Sequence, residues 1–238
     1  RRPARCRDRC GDDEGAGLSD ATLPGRIRAV VFDVGETLVD ETRAWGSWAD
    51  WLGVPRLTLF AILGGVVERG EDHRVAFQAV RPGIDLRAEV ERQRAAGLEY
   101  RMGPADLYPD AVPALHELRS LGYRLGVAAN QPISTEAFVS ELGLDLDFVA
   151  SSEGWGVAKP DPRFFERIAR ELGLAPAAIA YVGDRVDNDI APAVSAGMAA
   201  IHVRRGPWGY AHAAHATAAG AVAMISSLAE VAGVVAGV

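Results

Sequence analysis

Short apolar runs and amphipathic helical patterns take turns along most of this chain, and that alternation restricts the fold more than any other property. The runs are RAVVFDV over 28–34, YRLGVAA over 123–129, FVAS over 148–151, AAIAYVG over 177–183, MAAIHV over 198–203 and a weaker VAMI over 222–225. Each has the length of a buried strand. Between them lie segments with apolar residues three and four apart. These are Asp110–Leu121, carrying Val112, Leu115 and Leu118, then Ser134–Leu142, then Asp161–Leu172, carrying Phe164, Phe165 and Ile168. Gly122, Gly143, Gly173 and Gly197 punctuate the joins. Strands separated by helices need crossover connections, so an α/β fold with a parallel sheet is expected. Ligands of such sheets bind at the carboxyl ends of the strands.

Residues 39–108 break the alternation. They hold helical patterns and no strand run: Trp45, Trp48 and Trp51 recur every three residues, and Leu57, Phe60, Ile62, Leu63 and Val66 follow. Arg74–Val80 and Leu86–Tyr100 complete a mostly helical insert, placed to cover the carboxyl end of the first strand. The tryptophan stripe reads as packing between lid helices rather than as a ligand platform. Residues 1–26 show no periodicity and read as a tail. Cys6 and Cys10 within it supply only half the ligands of a zinc site. No other cysteine is present, which excludes a disulfide framework and a cysteine nucleophile in the main body, and a reducing cytoplasmic setting is expected. No apolar stretch of about 18 residues is free of charge, so no membrane span is expected. The net charge of -7 argues against a nucleic-acid partner, which would require a surplus of cations. The chain has 25 Lys and Arg residues, and a single one of them, Lys159, is lysine. Chemistry that needs an amine must use it.

Three places carry acids or that lysine where the active face should lie. Asp33 ends the first strand, and Gly35 lets the backbone turn. A carboxylate there can be a nucleophile, a metal ligand or a helix cap. Asp184 follows the AAIAYVG strand, with Asp187 and Asp189 in the next turn. A helix start accommodates one or two acids through its dipole, hardly three. Gathered near Asp33 they must raise their pKa values or bind a cation, and all-oxygen ligands favour Mg²⁺. Lys159 precedes a helix in the proline-stiffened run Val157-Ala158-Lys159-Pro160-Asp161-Pro162. Its ammonium suits a phosphate or a nucleophilic carboxylate.

In that order and spacing, Asp33-Val34-Gly35-Glu36-Thr37-Leu38-Val39, Ala128-Ala129-Asn130, Lys159-Pro160-Asp161-Pro162 and Gly183-Asp184 through Asp189 resemble the four motifs of the haloacid dehalogenase-like hydrolase superfamily. The resemblance spans nearly all of 27–238. It implies a Rossmann-like parallel sheet core over 27–38 and 109–238, flanked by helices, with a small all-helical cap over 39–108. It further implies that Asp33 attacks phosphorus and becomes an aspartyl-phosphate, with Lys159 neutralising charge. Mg²⁺ would be held by Asp33, the carbonyl of Gly35 and Asp184, steadied by Asp189 and by Asp187. Asn130 and the backbone of Gly35 and Glu36 would cradle phosphate oxygens. The partner so implied is a small phosphorylated metabolite, bound by a monomer or homodimer.

Two positions depart from the pattern. Phosphatases of the superfamily carry a second Asp two residues after the nucleophile, as general acid and base, and here that position is Gly35. Loss of such a group costs about 10² to 10⁴ in rate. Glu36, Asp40 and Glu41 are the nearby substitutes, with Glu41 slightly ahead. Ala129 stands where Ser or Thr would bind a phosphate oxygen. Two other readings stay open: a non-catalytic protein binding a phosphometabolite or another protein, and a metal-independent 2-haloacid dehalogenase. A lysine-based phosphonatase is excluded because the insert has no lysine. Arg204-Arg205-Gly206-Pro207-Trp208-Gly209-Tyr210 reads as a surface loop anchored by Trp208, with substrate contact as the alternative.

Overall fold

The structure, a computed structural model, describes residues 26–238. The expected tail over 1–26, with Cys6 and Cys10, lies outside the described residues except for Arg26. Six strands, β1 (Ala29–Phe32), β2 (Arg124–Ala129), β3 (Phe148–Ser151), β4 (Ile179–Gly183), β5 (Ala199–Val203) and β6 (Ala223–Ile225), form one sheet in the order β3-β2-β1-β4-β5-β6. All five pairings are parallel. This confirms the α/β fold and puts β1 in the middle, where the strand order reverses and a ligand crevice opens.

The helices are α1 (Thr42–Leu52), α2 (Arg56–Glu68), α3 (Arg74–Val80) and α4 (Leu86–Ala95) in the insert, then α5 (Ala111–Ser120), α6 (Ser134–Glu141), α7 (Ser152–Trp155), α8 (Pro162–Leu172), α9 (Ala191–Ser195), α10 (Gly206–Ala216) and α11 (Val231–Ala236). The two-residue period of the strands sorts their side chains. Val30 and Phe32 of β1 and Val182 of β4 join an apolar layer with Leu115 and Leu118 of α5 and Val235 of α11. Ala29, Val31 and Tyr181 face the other way, onto Phe164, Phe165 and Ile168 of α8. Phe164, Phe165 and Ile168 are fully buried, each worth about 1.5–3 kcal/mol over an exposed position. Asp161 caps α8 by accepting from the amide of Arg163, and Pro162 occupies its first turn. This anchors the loop that carries Lys159 on the face shared by Asp33 and Tyr181.

The insert is helical as expected. Its own apolar cluster joins Trp45, Ala49, Leu59, Leu63, Val66 and Phe77, and Trp208 from the core belongs to it. The two crossing segments meet through a bridge between Val39 and Leu107. They are locked by buried Asp106, which accepts from the Arg43 Nε at 2.6 Å and from the Tyr100 hydroxyl at 3.1 Å. Arg204–Tyr210 is not a loop throughout: α10 starts at Gly206, with Pro207 in its first turn. Among the described residues no single helix is long and apolar enough to cross a membrane.

Gly126 of β2 lies opposite Phe148 of β3. A Cβ there would stand 2.2 Å from the Phe148 ring, which stacks on Trp155 with centroids 6.0 Å apart. Gly126→Ala is therefore expected to cost about 1–3 kcal/mol through overpacking, read as a lower urea midpoint at unchanged slope. An unchanged midpoint would show that the ring moves aside freely.

Candidate active site

The carboxyl ends of β1, β2 and β4 deliver Asp33, Asn130 and Asp184 to one crevice. The amide of Asp33 donates to the Val182 carbonyl at 2.9 Å, so the strand pairing fixes where its side chain begins. Lys159 reaches in from the loop before α8 and is almost wholly buried. Its Nζ donates to Asp33 Oδ1 at 2.7 Å, to Asp189 Oδ1 at 2.6 Å and to the Tyr181 hydroxyl at 2.9 Å. Three donors meet three acceptors, so the ammonium is fully satisfied. Burial opposes its charge, but the carboxylates of Asp189 and Asp33 outweigh burial and hold its pKa well above the usual lysine value.

Asp33, Asp184 and Asp189 offer carboxylate oxygens that all lie within 4.8 Å of one another, and all three residues are buried. Burial, then the neighbouring charges of Asp189 and Asp33, push the Asp184 carboxyl well above the carboxylate range. Asp189 is pushed up to about 6, chiefly by burial, with Lys159 pulling it down and Asp33 pushing it up. Asp184 Oδ2 is buried without a hydrogen-bond partner. A buried acceptor left without a partner is costly, and three carboxylates at this range repel. A small hard cation removes both costs, so the residues present fit Mg²⁺. Asp189 already accepts from Lys159 with Oδ1 and from the Arg185 amide, at 2.9 Å, with Oδ2.

Several expected members take other places. Asp187 is not in the trio: it is exposed, paired with Arg185 at 2.6 Å, because the segment Val186–Ile190 winds as a π-helical turn that brings Asp189 inward instead. Asn130 closes a ring with the backbone of Lys159. Its Nδ2 donates to the lysine carbonyl and its Oδ1 accepts from the lysine amide, both at 2.8 Å, leaving one Nδ2 hydrogen for a ligand. Glu36 does not offer its amide to a phosphate, since that N–H donates to the Val39 carbonyl at 2.7 Å. Its side chain accepts from the Tyr108 hydroxyl at 2.5 Å, and burial raises its pKa to about 7. Its φ of 49°, rare for a residue with a side chain, shapes the turn after Asp33. Arg205 steadies the same turn by donating to the Thr37 carbonyl at 2.9 Å.

Asp33, Lys159 and Asp184 open onto a cavity of about 670 Å³ between core and insert. Trp45, Trp48, His73 and Phe77 close it from the insert, with Arg185 and Trp208 opposite. The tryptophan stripe thus divides. Trp45 stacks on Phe77 with centroids 5.4 Å apart and Trp48 meets the same ring edge-on, yet both also line the cavity. Trp51 points elsewhere and donates to Glu89 at 2.9 Å. Glu41, at the entry to α1, also lines the cavity.

The family model for haloacid dehalogenase-like hydrolases matches residues 27–197, which carry the first strand, the insert and every strand-end acid just described. The chain belongs to this family. Among haloacid dehalogenase-like hydrolases, a glyceraldehyde 3-phosphate phosphatase of Methanopyrus kandleri is 33% identical over 200 residues, covering 76% of this chain and 86% of that protein. A phosphatase of Mycobacterium tuberculosis is 33% identical over 193 residues, covering 75% and 88%. A solved HAD phosphatase from Thermococcus onnurineus is 26% identical and covers 86% of this chain and 96% of that one, with a TM-score of 0.53. In this haloacid dehalogenase-like hydrolase the sequence motifs do not disclose Tyr181, whose hydroxyl takes a lysine hydrogen and donates to the Ala128 carbonyl at 2.8 Å. Its one signal is a polar tip inside an otherwise apolar strand.

Proposed function

We propose that this hydrolase is a Mg²⁺-dependent phosphatase of a small phosphorylated metabolite in the cytoplasm, working through an aspartyl-phosphate on Asp33. The observation that carries the reading is the pairing of Asp33 with buried Lys159 beside the partnerless oxygen of Asp184. The phosphatase names of relatives from two organisms support it. A metal-free dehalogenase would have no use for three buried carboxylates within 4.8 Å.

Asp33 and Asp184 would hold the metal, with Asp189 behind them. When bound, Mg²⁺ supplies countercharge for phosphoryl oxygens. Lys159 fixes Asp33 Oδ1 through its 2.7 Å bond, leaving the other carboxylate oxygen to attack phosphorus in line. The P–O bond to the alcohol breaks as the Asp33–phosphorus bond forms, and water then cleaves the acyl phosphate. Lys159 stays charged throughout and offsets negative charge developing beside it. The insert lines one side of the cavity with Trp45, Trp48, His73 and Phe77, and these residues select the alcohol.

Phosphate release from p-nitrophenyl phosphate and acetyl phosphate, with and without Mg²⁺, tests this. Wild type turns over with metal, and Asp33→Asn loses about a thousandfold or more of that rate. Equal background from both proteins would refute catalysis. Halide released from 2-chloropropionate without metal would move the assignment to dehalogenation.

A further inference from the structure

A phosphate ester of an ordinary alcohol leaves as an alkoxide unless a proton meets the departing oxygen. Most acids of the crevice are committed elsewhere. Lys159 has all three hydrogens engaged, Asp189 accepts on both oxygens, and Glu36 is tied to Tyr108. Glu41 is different. It lines the cavity with Asp33 and forms no ion pair among the described residues. Its neighbours are Trp45 and the Gln131 amide, which donates to Oε1 at 3.4 Å.

Its position relative to Gly35 is the decisive geometry. The backbone at Gly35 is not in the left-handed region, so it would accept a side chain. The obstacle to one is Glu41. A Cβ at 35 would lie 2.6 Å from Glu41 Oε1 and 3.0 Å from its Cδ. A carboxyl group borne six residues downstream thus fills the space that a side chain two residues past Asp33 would occupy.

We propose that Glu41 is a catalytic residue of the phosphatase reading on which this inference rests, acting as its proton donor and acceptor. As the P–O bond to the alcohol breaks, the Glu41 carboxyl gives its proton to the leaving oxygen and becomes a carboxylate. It then takes a proton from the water that attacks phosphorus of the aspartyl-phosphate. The phosphorus–Asp33 bond breaks, phosphate departs and both side chains return to their starting forms.

The test compares two probes with Mg²⁺ present: glycerol 3-phosphate, whose alkoxide needs a proton, and p-nitrophenyl phosphate, whose phenolate leaves without one. The readout is kcat/KM, which reports the first transfer. Glu41→Gln, nearly isosteric, is expected to lose about 10² to 10⁴ on glycerol 3-phosphate and less than about tenfold on p-nitrophenyl phosphate. Glu41→Ala loses likewise, and Gly35→Asp added to it recovers at least about tenfold on the alkyl ester, because the freed space now holds a carboxyl from the other side. A merely structural role would lower both probes together, and that result, or an unchanged alkyl ester rate, overturns the proposal. Failure of the double variant to recover, in a protein that keeps its urea midpoint, also overturns it. Wild type inactive on both probes overturns the phosphatase reading and this inference with it. Wild type active with a flat Glu41→Gln response overturns only the role of Glu41.

Discussion

Lys159→Met is expected to cut kcat/KM by about 10² to 10³ and to destabilise the fold by about 3–5 kcal/mol. Both effects have one origin. Among the described residues the ammonium is the sole cation bonded to Asp33, and it neutralises Asp189 at 2.6 Å in a place where its own side chain is 2% exposed. Methionine fills a similar volume but leaves the two buried carboxylates facing Asp184 without the ammonium that bonded to both. Lys159→Arg is expected to restore little. A planar guanidinium cannot direct three hydrogens to Asp33, Asp189 and the Tyr181 hydroxyl from the point that Nζ occupies. Initial rates and urea midpoints measured on the same preparations decide the matter. A methionine variant that keeps near-normal turnover would remove Lys159 from the chemistry.

The second large effect concerns the cation. At a Mg²⁺ concentration a hundredfold above its Kd, the folded protein should gain about 2.7 kcal/mol, seen as a rise in Tm that NaCl at equal ionic strength does not reproduce. Asp184→Asn should abolish the response, because it removes the one buried carboxylate oxygen of the trio that has no protein partner. Without metal the same variant should be no less stable than wild type, since it relieves repulsion among three acids. Its turnover should fall with its metal response. Equal Mg²⁺ shifts in both proteins, or none in wild type, would place the cation elsewhere or remove it.

The core could be read from the sequence because its physics is local. A run of apolar residues ending in an acid, as at Phe32-Asp33 or Gly183-Asp184, already says strand and strand end, and parallel pairing then brings such ends together. Apolar spacing in Asp161–Leu172 likewise gave the helix that carries Lys159 to them. What escaped depends on contacts between distant segments. Whether Asp187 or Asp189 turns inward is set by a π-helical turn that no residue pattern announces. Asn130 looks wholly available for a ligand until the loop 29 residues later folds against it, engages both its polar atoms and leaves one Nδ2 hydrogen over. The amide of Glu36 looks free until Val39 loops back to it. Trp208 could be assigned to a surface loop only while the insert packing on it was unseen. Glu41 stood among several acids by sequence, and the space above Gly35 separates it from the others.

The central claim, that an Asp33 oxygen forms a bond to phosphorus, can be tested by trapping. Wild type turning over p-nitrophenyl phosphate with Mg²⁺ would be quenched in acid, reduced with borohydride and digested for peptide mass spectrometry. An acyl phosphate is reduced to an alcohol, so position 33 should carry homoserine in a fraction of the chains, with none in protein quenched before substrate is added. Steady phosphate release with position 33 unmodified, or with the mark on another carboxylate, would contradict the account.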